Sequence, residues 1–312
     1  MKNISQFTLT SLFIVLILIS FNVSAEGFSD KVSMCNQALE KGDLTTAATV
    51  SAEILKREPN NRGGLLCKGR ALGSQSQAAQ GNYSEALSAL ELAAKNSEPG
   101  LDEIIAYIFI GNLHKNNQKN IEAIASYEKS LSISKAGNNE KFERINLNFI
   151  GDTQAQSNDL NAALASYLAG AKLAMNDNER AESYERIAAT YGALKQHDLT
   201  IEYQLKATLM QQKAGTLDGY ANASYMLGQA YQQAKEYDSA ESTYAKLLQF
   251  SKDNGGVYYE AKANFGLAQV KAAKGDKDNA KAMFTETLKM AKNMGENDLA
   301  VEIDTALKNL SN

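Results

Sequence analysis

The sequence predicts an all-α fold built from a repeated pair of antiparallel helices, and three observations indicate it. Apolar residues recur with the 3.6-residue period of an amphipathic helix, most clearly in two successive stretches between residues 220 and 250. A small residue recurs early in the second helix of each predicted pair, at intervals of 37 to 40 residues. A glycine or an asparagine closes the later units at intervals of 39 to 40 residues, so two independent marks agree in register.

The small residue defines seven units. The first, at about residues 30–57, turns between its helices at Gly42-Asp43, and the second, at about residues 62–96, turns at Gly81-Asn82. The first helix of the second unit is rich in glycine and is therefore the weakest helix former of the chain. The seven small residues are Ala47, Ala86, Ala123, Ala163, Thr200, Ala240 and Ala280.

The closing residues predict where the units end. A helix often ends in a left-handed residue, a conformation that glycine adopts without strain, so we expect it at each closing position. Beyond the last of them, an apolar stripe that includes Leu299, Ile303 and Leu307 predicts a final amphipathic helix. The closing positions are Gly137, Asn176, Gly215, Gly255 and Gly295.

These residues resemble the tetratricopeptide repeat (TPR) family, whose pattern is Trp, two residues, Leu-Gly, two residues, Tyr, and later Ala, three residues, Phe. The sixth unit carries Leu227-Gly228, Tyr231, Ala240 and Tyr244 at this spacing. The fifth unit departs from it, with Thr200 and Gln204 in place of Ala and the aromatic residue. The units exceed the roughly 34 residues of the standard repeat, as in the long-helix subclass of the family.

The resemblance implies a right-handed superhelical solenoid of about seven helical hairpins, over residues 26–295, plus a C-terminal capping helix over residues 296–312. A capping helix is needed because the last hairpin would otherwise leave an apolar face in water.

Residues 1–25 differ from the rest of the chain. Lys2 gives a positive start, an apolar run follows at residues 12–21, and Val23-Ser24-Ala25 provides small residues for cleavage. We interpret this segment as a signal peptide and expect an exported protein, periplasmic or secreted. An uncleaved N-terminal membrane anchor is the alternative, because the apolar segment counted from Phe7 approaches the length of a spanning helix.

The composition of the chain limits the classes of partner that we expect it to bind. The chain has 312 residues, a formal net charge of −4, 2 prolines and no tryptophan. This mildly acidic balance offers no electrostatic footprint for nucleic acid or for anionic membranes. We therefore expect a protein or peptide partner, no nucleic acid, and no stable membrane insertion once the signal peptide is removed.

The sequence shows no catalytic pattern. The two histidines, His114 and His197, lie in different units, where a buried and a turn histidine are the ordinary interpretations. We find no paired-cysteine zinc motif, no glycine-rich phosphate loop and no nucleophile elbow. We expect no catalysis, no cofactor and no metal site.

Cys35 and Cys67 are the only cysteines. An oxidising compartment would permit a disulfide between them. In the expected register, however, they lie nearly two turns apart on neighbouring parallel helices, which makes pairing awkward. Two buried free thiols are the favoured interpretation, and a disulfide is the alternative.

The resemblance also implies where a partner would bind, because the first helices of TPR hairpins line a concave groove. Side-chain amides there could pair with the backbone of an extended peptide, and aromatic residues could anchor its side chains. Alternatively, the polar residues simply face solvent and the aromatic residues pack between units. The candidate groove residues are Asn36, Gln75, Asn112, Asn148, Asp152, Tyr225, Gln229, Phe265 and Gln269.

The chain lacks the lysines by which carboxylate-clamp TPR domains hold a C-terminus, so we do not expect that activity. The sequence predicts an exported scaffold that binds a protein or peptide in its groove. The alternatives are a sensor or carrier of a small ligand or peptide signal, and an accessory subunit of an envelope enzyme or secretion machine.

Overall fold

The computed structural model describes residues 29–75 and 81–311, and in these two ranges it contains fifteen α-helices and no strand. The predicted all-α class is confirmed. The predicted signal peptide at residues 1–25 lies outside the described residues. Two compact units divide the chain, Met1–Thr153 and Gln154–Asn312.

The helices of the first unit follow one another with short turns. Helix α7 begins in this unit and ends three residues beyond its boundary. The bounds are α1 (29–40), α2 (Leu44–Arg57), α3 (Arg62–Gln75), α4 (Gly81–Lys95), α5 (Leu101–Asn116), α6 (Asn120–Ala136) and α7 (Glu140–Gln156).

The second unit continues the same alternation and ends in a single helix. Its helices are α8 (Leu160–Ala171), α9 (Asp177–Ala193), α10 (His197–Ala214), α11 (Leu217–Gln233), α12 (Tyr237–Asp253), α13 (Val257–Ala273), α14 (Lys277–Met294) and α15 (Asn297–Ser311).

Small residues bring the two helices of a pair into close contact. All six alanine markers are fully buried, and Thr200, the seventh marker, is 8% exposed. In the third, fourth, sixth and seventh pairs, the residue four positions after the marker is a buried aromatic: Tyr127, Tyr167, Tyr244 and Phe284. In the third pair, a β-carbon on Gly111 would lie only 2.4 Å from Tyr127. The small residue and the ring are therefore complementary parts of one interface.

Left-handed residues recur at the turns inside the pairs, and Asn138, Gly255 and Gly295 place them at some ends of units as well. Gly137 and Gly215 have negative φ, and Asn176 is instead the N-cap of α9, where its side chain accepts from the Glu179 amide. The closing prediction is therefore wrong at these three positions, although Gly255 and Gly295 are left-handed. The recurrent left-handed residues lie five positions before the marker: Gly42, Gln118, Asn158, Lys195, Lys235 and Gly275.

The register expected for α3 is also wrong. A β-carbon on Gly69 would lie 2.5 Å from Leu90, which follows the Ala86 marker by four residues. Gly69 therefore occupies the position that Gly111 has in the third pair. Ala86 follows Gly69 by 17 positions, whereas Ala123 follows Gly111 by 12. The five additional residues of the second pair are the reason that its repeat positions were assigned incorrectly.

The corrected register explains why Cys35 and Cys67 lie close enough to pair. Cys35 stands in the same repeat position as Gly69, and Cys67 precedes Gly69 by two residues, an offset of about 3 Å along a helix. The two Cα atoms lie 6.2 Å apart, and the sulfurs form a disulfide that joins α1 to α3. The favoured expectation of two free thiols is therefore contradicted.

Helix α15 covers the end of the second unit. Its residue Ile303 is fully buried, and Leu299 and Ala300 are nearly so, in a cluster that contains Phe265 and Phe284. This burial removes apolar surface of α13 and α14 from water, as a terminal cap of a repeat array must. None of the described helices is both long and apolar enough to span a bilayer.

Candidate partner-binding groove

In the first unit, two of the predicted groove amides already have protein partners. Asn36 accepts a hydrogen bond of 2.8 Å from Arg70, and Asn112 accepts one of 2.6 Å from the Tyr127 hydroxyl. Burial raises the pKa of that tyrosine, with the Asp152 charge as a smaller cause. These amides position neighbouring side chains of the protein itself.

The remaining candidates of the first unit differ in exposure. Asn148 is buried, at 6% exposed, whereas Asp152 is half-buried. The Gln75 side chain lies outside the described residues. The corrected register gives its repeat position to Arg70, and the spacing of Leu65, Gly69 and Leu72 in the sequence was the signal that could have shown this.

Arg70 is therefore a groove residue that sequence reasoning missed. Its guanidinium carbon lies 4.6 Å from the centre of the Phe109 ring, a cation–π arrangement, while Nη1 donates to Asn36. Burial lowers the pKa of Arg70, partly offset by the Glu40 charge. A cleft of about 180 Å³ lies beside it and is also lined by Asn112 and Asn116.

The expected aromatic anchors are core residues. Tyr225 is 3% exposed and Phe265 fully buried, because each packs against the second-helix ring of its own pair. The ring centres lie 5.7 Å apart for Tyr225 and Tyr244, and 5.8 Å apart for Phe265 and Phe284. Neither side chain is accessible as an anchor for a partner. Gln229 and Gln269 remain half-buried on α11 and α13.

A cavity in the second unit lies where α9, α10 and α11 meet. It has a volume of about 640 Å³. Its lining includes Glu185 and Ala189 from α9, Gln204 from α10, and Met226 and Gln229 from α11. One predicted groove residue, Gln229, therefore lies in a cavity large enough to receive a side chain or a small molecule.

The departures of the fifth pair from the repeat pattern converge in this cavity. The third and sixth pairs have Tyr127 and Tyr244, four residues after their markers, whereas the fifth has Gln204. Its marker is Thr200, and Ala189 stands where the other six pairs, in the corrected register, have a polar or charged side chain. All three residues line the cavity. The smaller or more slender side chains leave the space open, and Gln204 is held by a hydrogen bond of 3.1 Å to the Ala223 carbonyl.

The cavity wall carries a half-buried carboxylate, Glu185. It accepts a hydrogen bond of 3.3 Å from the Gln211 amide. Burial raises the pKa of Glu185, the Gln211 hydrogen bond lowers it, and the nearby charges of Glu182 and Arg186 have smaller opposing effects. The wall therefore combines a desolvated acidic group with amides and with Met226, which is 40% exposed.

The histidines lie away from this cavity. His114 is buried and its Nδ1 lies 2.8 Å from the Tyr83 hydroxyl, and burial lowers its pKa. His197 is the first residue of α10. The described residues contain no group of three or more side chains that could hold a metal ion.

Family comparisons agree with the repeat pattern. A family model described as tetratricopeptide repeat matches residues 179–253, and a second model of the same description matches residues 104–136 and 261–294. No curated protein matches the chain.

Similar solved structures share the fold at low identity. The apo form of RapI is 14% identical, with a TM-score of 0.70 over 88% of this chain and 79% of its own. A signal transduction ATPase with a tetratricopeptide repeat sensor, from Pyrococcus horikoshii, is 13% identical, with a TM-score of 0.64 over 86% of this chain and 41% of its own.

A Rap protein complexed with competence and sporulation factor is 14% identical, with a TM-score of 0.50 over 91% of this chain and 88% of its own. At these identities the likeness shows the fold alone. The matched repeats, the helix pairs and the buried markers agree, and the chain is a tetratricopeptide-repeat protein.

Proposed function

We propose that this protein is an interaction scaffold that receives a segment of a partner protein in the groove between α9 and α11. The proposal is based on the cavity of about 640 Å³ at the fifth pair. Three residues of this pair depart from the repeat pattern, Ala189, Thr200 and Gln204, and all three line the cavity. A side chain lost from a repeat core costs packing energy, so the open space favours a binding role.

The lining suits an extended segment. The half-buried Gln229 and the exposed Gln233 line the cavity, and a side-chain amide can offer a donor and an acceptor to a peptide backbone. Met226 provides an exposed, adaptable apolar contact. In this proposal, the protein binds and does not itself catalyse a reaction.

The place of action in the proposal is outside the cytoplasm, in the periplasm or beyond. The signal-peptide pattern of residues 1–25 supports export. The disulfide between Cys35 and Cys67 gives independent support, because disulfides persist in oxidising compartments and are rare in the cytosol.

A second candidate function is a sensor or carrier of a small ligand. The cavity volume falls within the range of roughly 300–1,000 Å³ typical of small-molecule sites. The similarity to a Rap protein complexed with competence and sporulation factor gives this candidate further support.

Site-specific photo-crosslinking tests the groove. A benzophenone amino acid replaces Met226 in the groove or, as a control, the exposed Lys246 on α12, and adducts in cells are identified by mass spectrometry. We expect a defined protein adduct from position 226. The cavity-filling change Ala189→Phe should abolish it, whereas Ala245→Phe, at an exposed alanine of α12, should not.

Adducts formed only from position 246 would contradict the groove. Native mass spectrometry of the purified protein separates the two candidates. A bound small molecule that Ala189→Phe no longer retains, without a protein adduct from position 226, would favour the ligand carrier.

A further inference from the structure

We infer that the cavity between α9, α10 and α11 takes a cationic side chain, arginine or lysine, from the partner segment, with Glu185 as its counter-ion. This inference rests on the proposed function and adds the chemistry of the partner's anchor residue. Charge, lining and the shape of the cavity each contribute to it.

Glu185 forms no ion pair with another described residue. It is half-buried, and the Gln211 amide donates to it at 3.3 Å, but no ion pair within residues 29–75 and 81–311 includes it. A carboxylate withdrawn from water without a neutralising charge is costly, and an incoming cation would remove that cost.

The charge around the cavity is negative. The lining carries two carboxylates, Glu182 and Glu185, and one guanidinium, Arg186, so its formal charge is −1. Arg186 Nη1 also donates to the Glu182 carbonyl at 3.4 Å, along its own helix. In the described part of α10 and α11, no charged side chain adds to the lining. The lining therefore keeps an excess of one negative charge, and Glu185 is its half-buried carboxylate.

The other walls suit the stem and the head of an arginine or a lysine. Met226, Ala188 and Ala189 give apolar surface for the methylenes of such a side chain. The amides of Gln229 and Gln233 line the same cavity and offer acceptor oxygens, and a guanidinium has five donors to distribute among them. An acidic anchor would instead be repelled by Glu185.

Two matched peptides test the inference. Both have an alanine-rich backbone with blocked ends, and they differ only at the central residue, which is arginine or its uncharged analogue citrulline. The purified protein carries carbon-13 methyl groups on its methionines, and the Met226 methyl signal reports occupancy of the cavity. We expect the arginine peptide to bind roughly fivefold more tightly than the citrulline peptide, the effect of one partly screened ion pair.

Glu185→Gln should bring the arginine peptide to the affinity of the citrulline peptide, whereas Glu286→Gln, at an exposed glutamate of α14, should preserve the difference. Circular dichroism verifies that both variants are folded.

The possible failures are distinguishable. Equal binding of both peptides, with clear Met226 shifts, would overturn the cationic anchor and leave the groove of the proposed function in place. The absence of any Met226 shift with either peptide would overturn the inference and also count against that groove. An arginine preference that survives in Glu185→Gln would assign the selectivity to another group and would likewise overturn the inference.

Discussion

Gly228 and Tyr244 are in such close contact that a β-carbon on Gly228 would lie 2.3 Å from the tyrosine ring. The glycine is on the first helix of the sixth pair and the ring is on the second, so this contact sets the distance between the helices. The same ring lies 2.5 Å from the position of a β-carbon on Gly266, in the following pair. Tyr244 therefore joins neighbouring repeats as well as the helices of one repeat.

Gly228→Ala should destabilise the protein by about 1–3 kcal/mol, because the ring cannot move away without disturbing both contacts. Urea unfolding followed by circular dichroism measures the change. Gly192→Ala is a matched control, since its β-carbon would meet Thr200 at an ordinary 3.6 Å. That control should be neutral or stabilising by up to about 1 kcal/mol, the gain in helix propensity. Equal losses in both variants would show that the Tyr244 contact is not the cause.

A double-mutant cycle measures how much the hydrogen bond from Tyr127 to Asn112 contributes to stability. Asn112→Ala leaves a buried hydroxyl without its acceptor and should cost about 1–3 kcal/mol of unfolding free energy. In a Tyr127→Phe background the same change should cost less, because no donor is left unpaired. Additive losses in the double variant would indicate that Asn112 is free for a partner rather than committed to the fold.

The disulfide should be present in the exported protein and should stabilise the first helix pair. Non-reducing peptide mapping should recover Cys35 and Cys67 in one linked species. Replacing both cysteines by alanine should lower the unfolding free energy by about 2–4 kcal/mol, by the chain-entropy estimate for a loop of this size. Two alkylated thiols in protein isolated under thiol-blocking conditions would contradict the pairing.

The raised pKa of Glu185 predicts how the stability of the protein depends on pH. Its pKa is raised in the folded protein, mainly by burial, so the native state holds the proton more tightly than the unfolded state. The stability contributed by protonation is complete below the usual pKa of 4.5 and is lost as the pH rises through the folded value. Gln211, Glu182 and Arg186 are the groups that act on this carboxyl.

Glu185→Gln should therefore be more stable than the unmodified protein at neutral pH. The gain should be under about 1 kcal/mol because solvent screens a half-exposed group. The difference in stability between the two proteins should disappear in acid, where Glu185 is protonated. Thermal unfolding of both proteins across the pH range measures this difference. Lower stability of the variant at neutral pH would mean that the charge is compensated within the fold.

The N-terminal segment gives a prediction about processing. The small residues at Val23-Ser24-Ala25 place the expected cleavage after Ala25, so the mature protein should begin at Glu26. Intact-mass measurement of the exported protein checks this. A mass that retains residues 1–25 would favour the N-terminal membrane anchor.

Much of the fold was predictable because it depends on local spacing. An alanine in the marker position and an aromatic residue four positions later identify a second helix, and both lie buried in the structure at Ala240 and Tyr244. The α3 register was not predictable in the same way. Five additional residues between Gly69 and Ala86 break the spacing to the marker, and the contact of Gly69 with Leu90 establishes the register.

The candidate site was predictable only in part. Gln229 was found from its repeat position, and the departures at Thr200 and Gln204 were visible in the sequence. Their convergence with Ala189 in one cavity depends on how three helices meet, which no single repeat position reveals. Tyr225 and Phe265 occupy positions expected to face a partner but are buried by neighbouring rings.

By itself, the sequence determined the helical class and the repeat family, because the spacing of small and apolar residues can be read directly from the order of residues in the chain. The tertiary structure decided the pairing of Cys35 with Cys67, the role of Arg70, and the cavity beside Glu185. These features depend on distances between residues on different helices. Such distances follow from how side chains of particular volume pack together, and periodicity along one helix does not specify them.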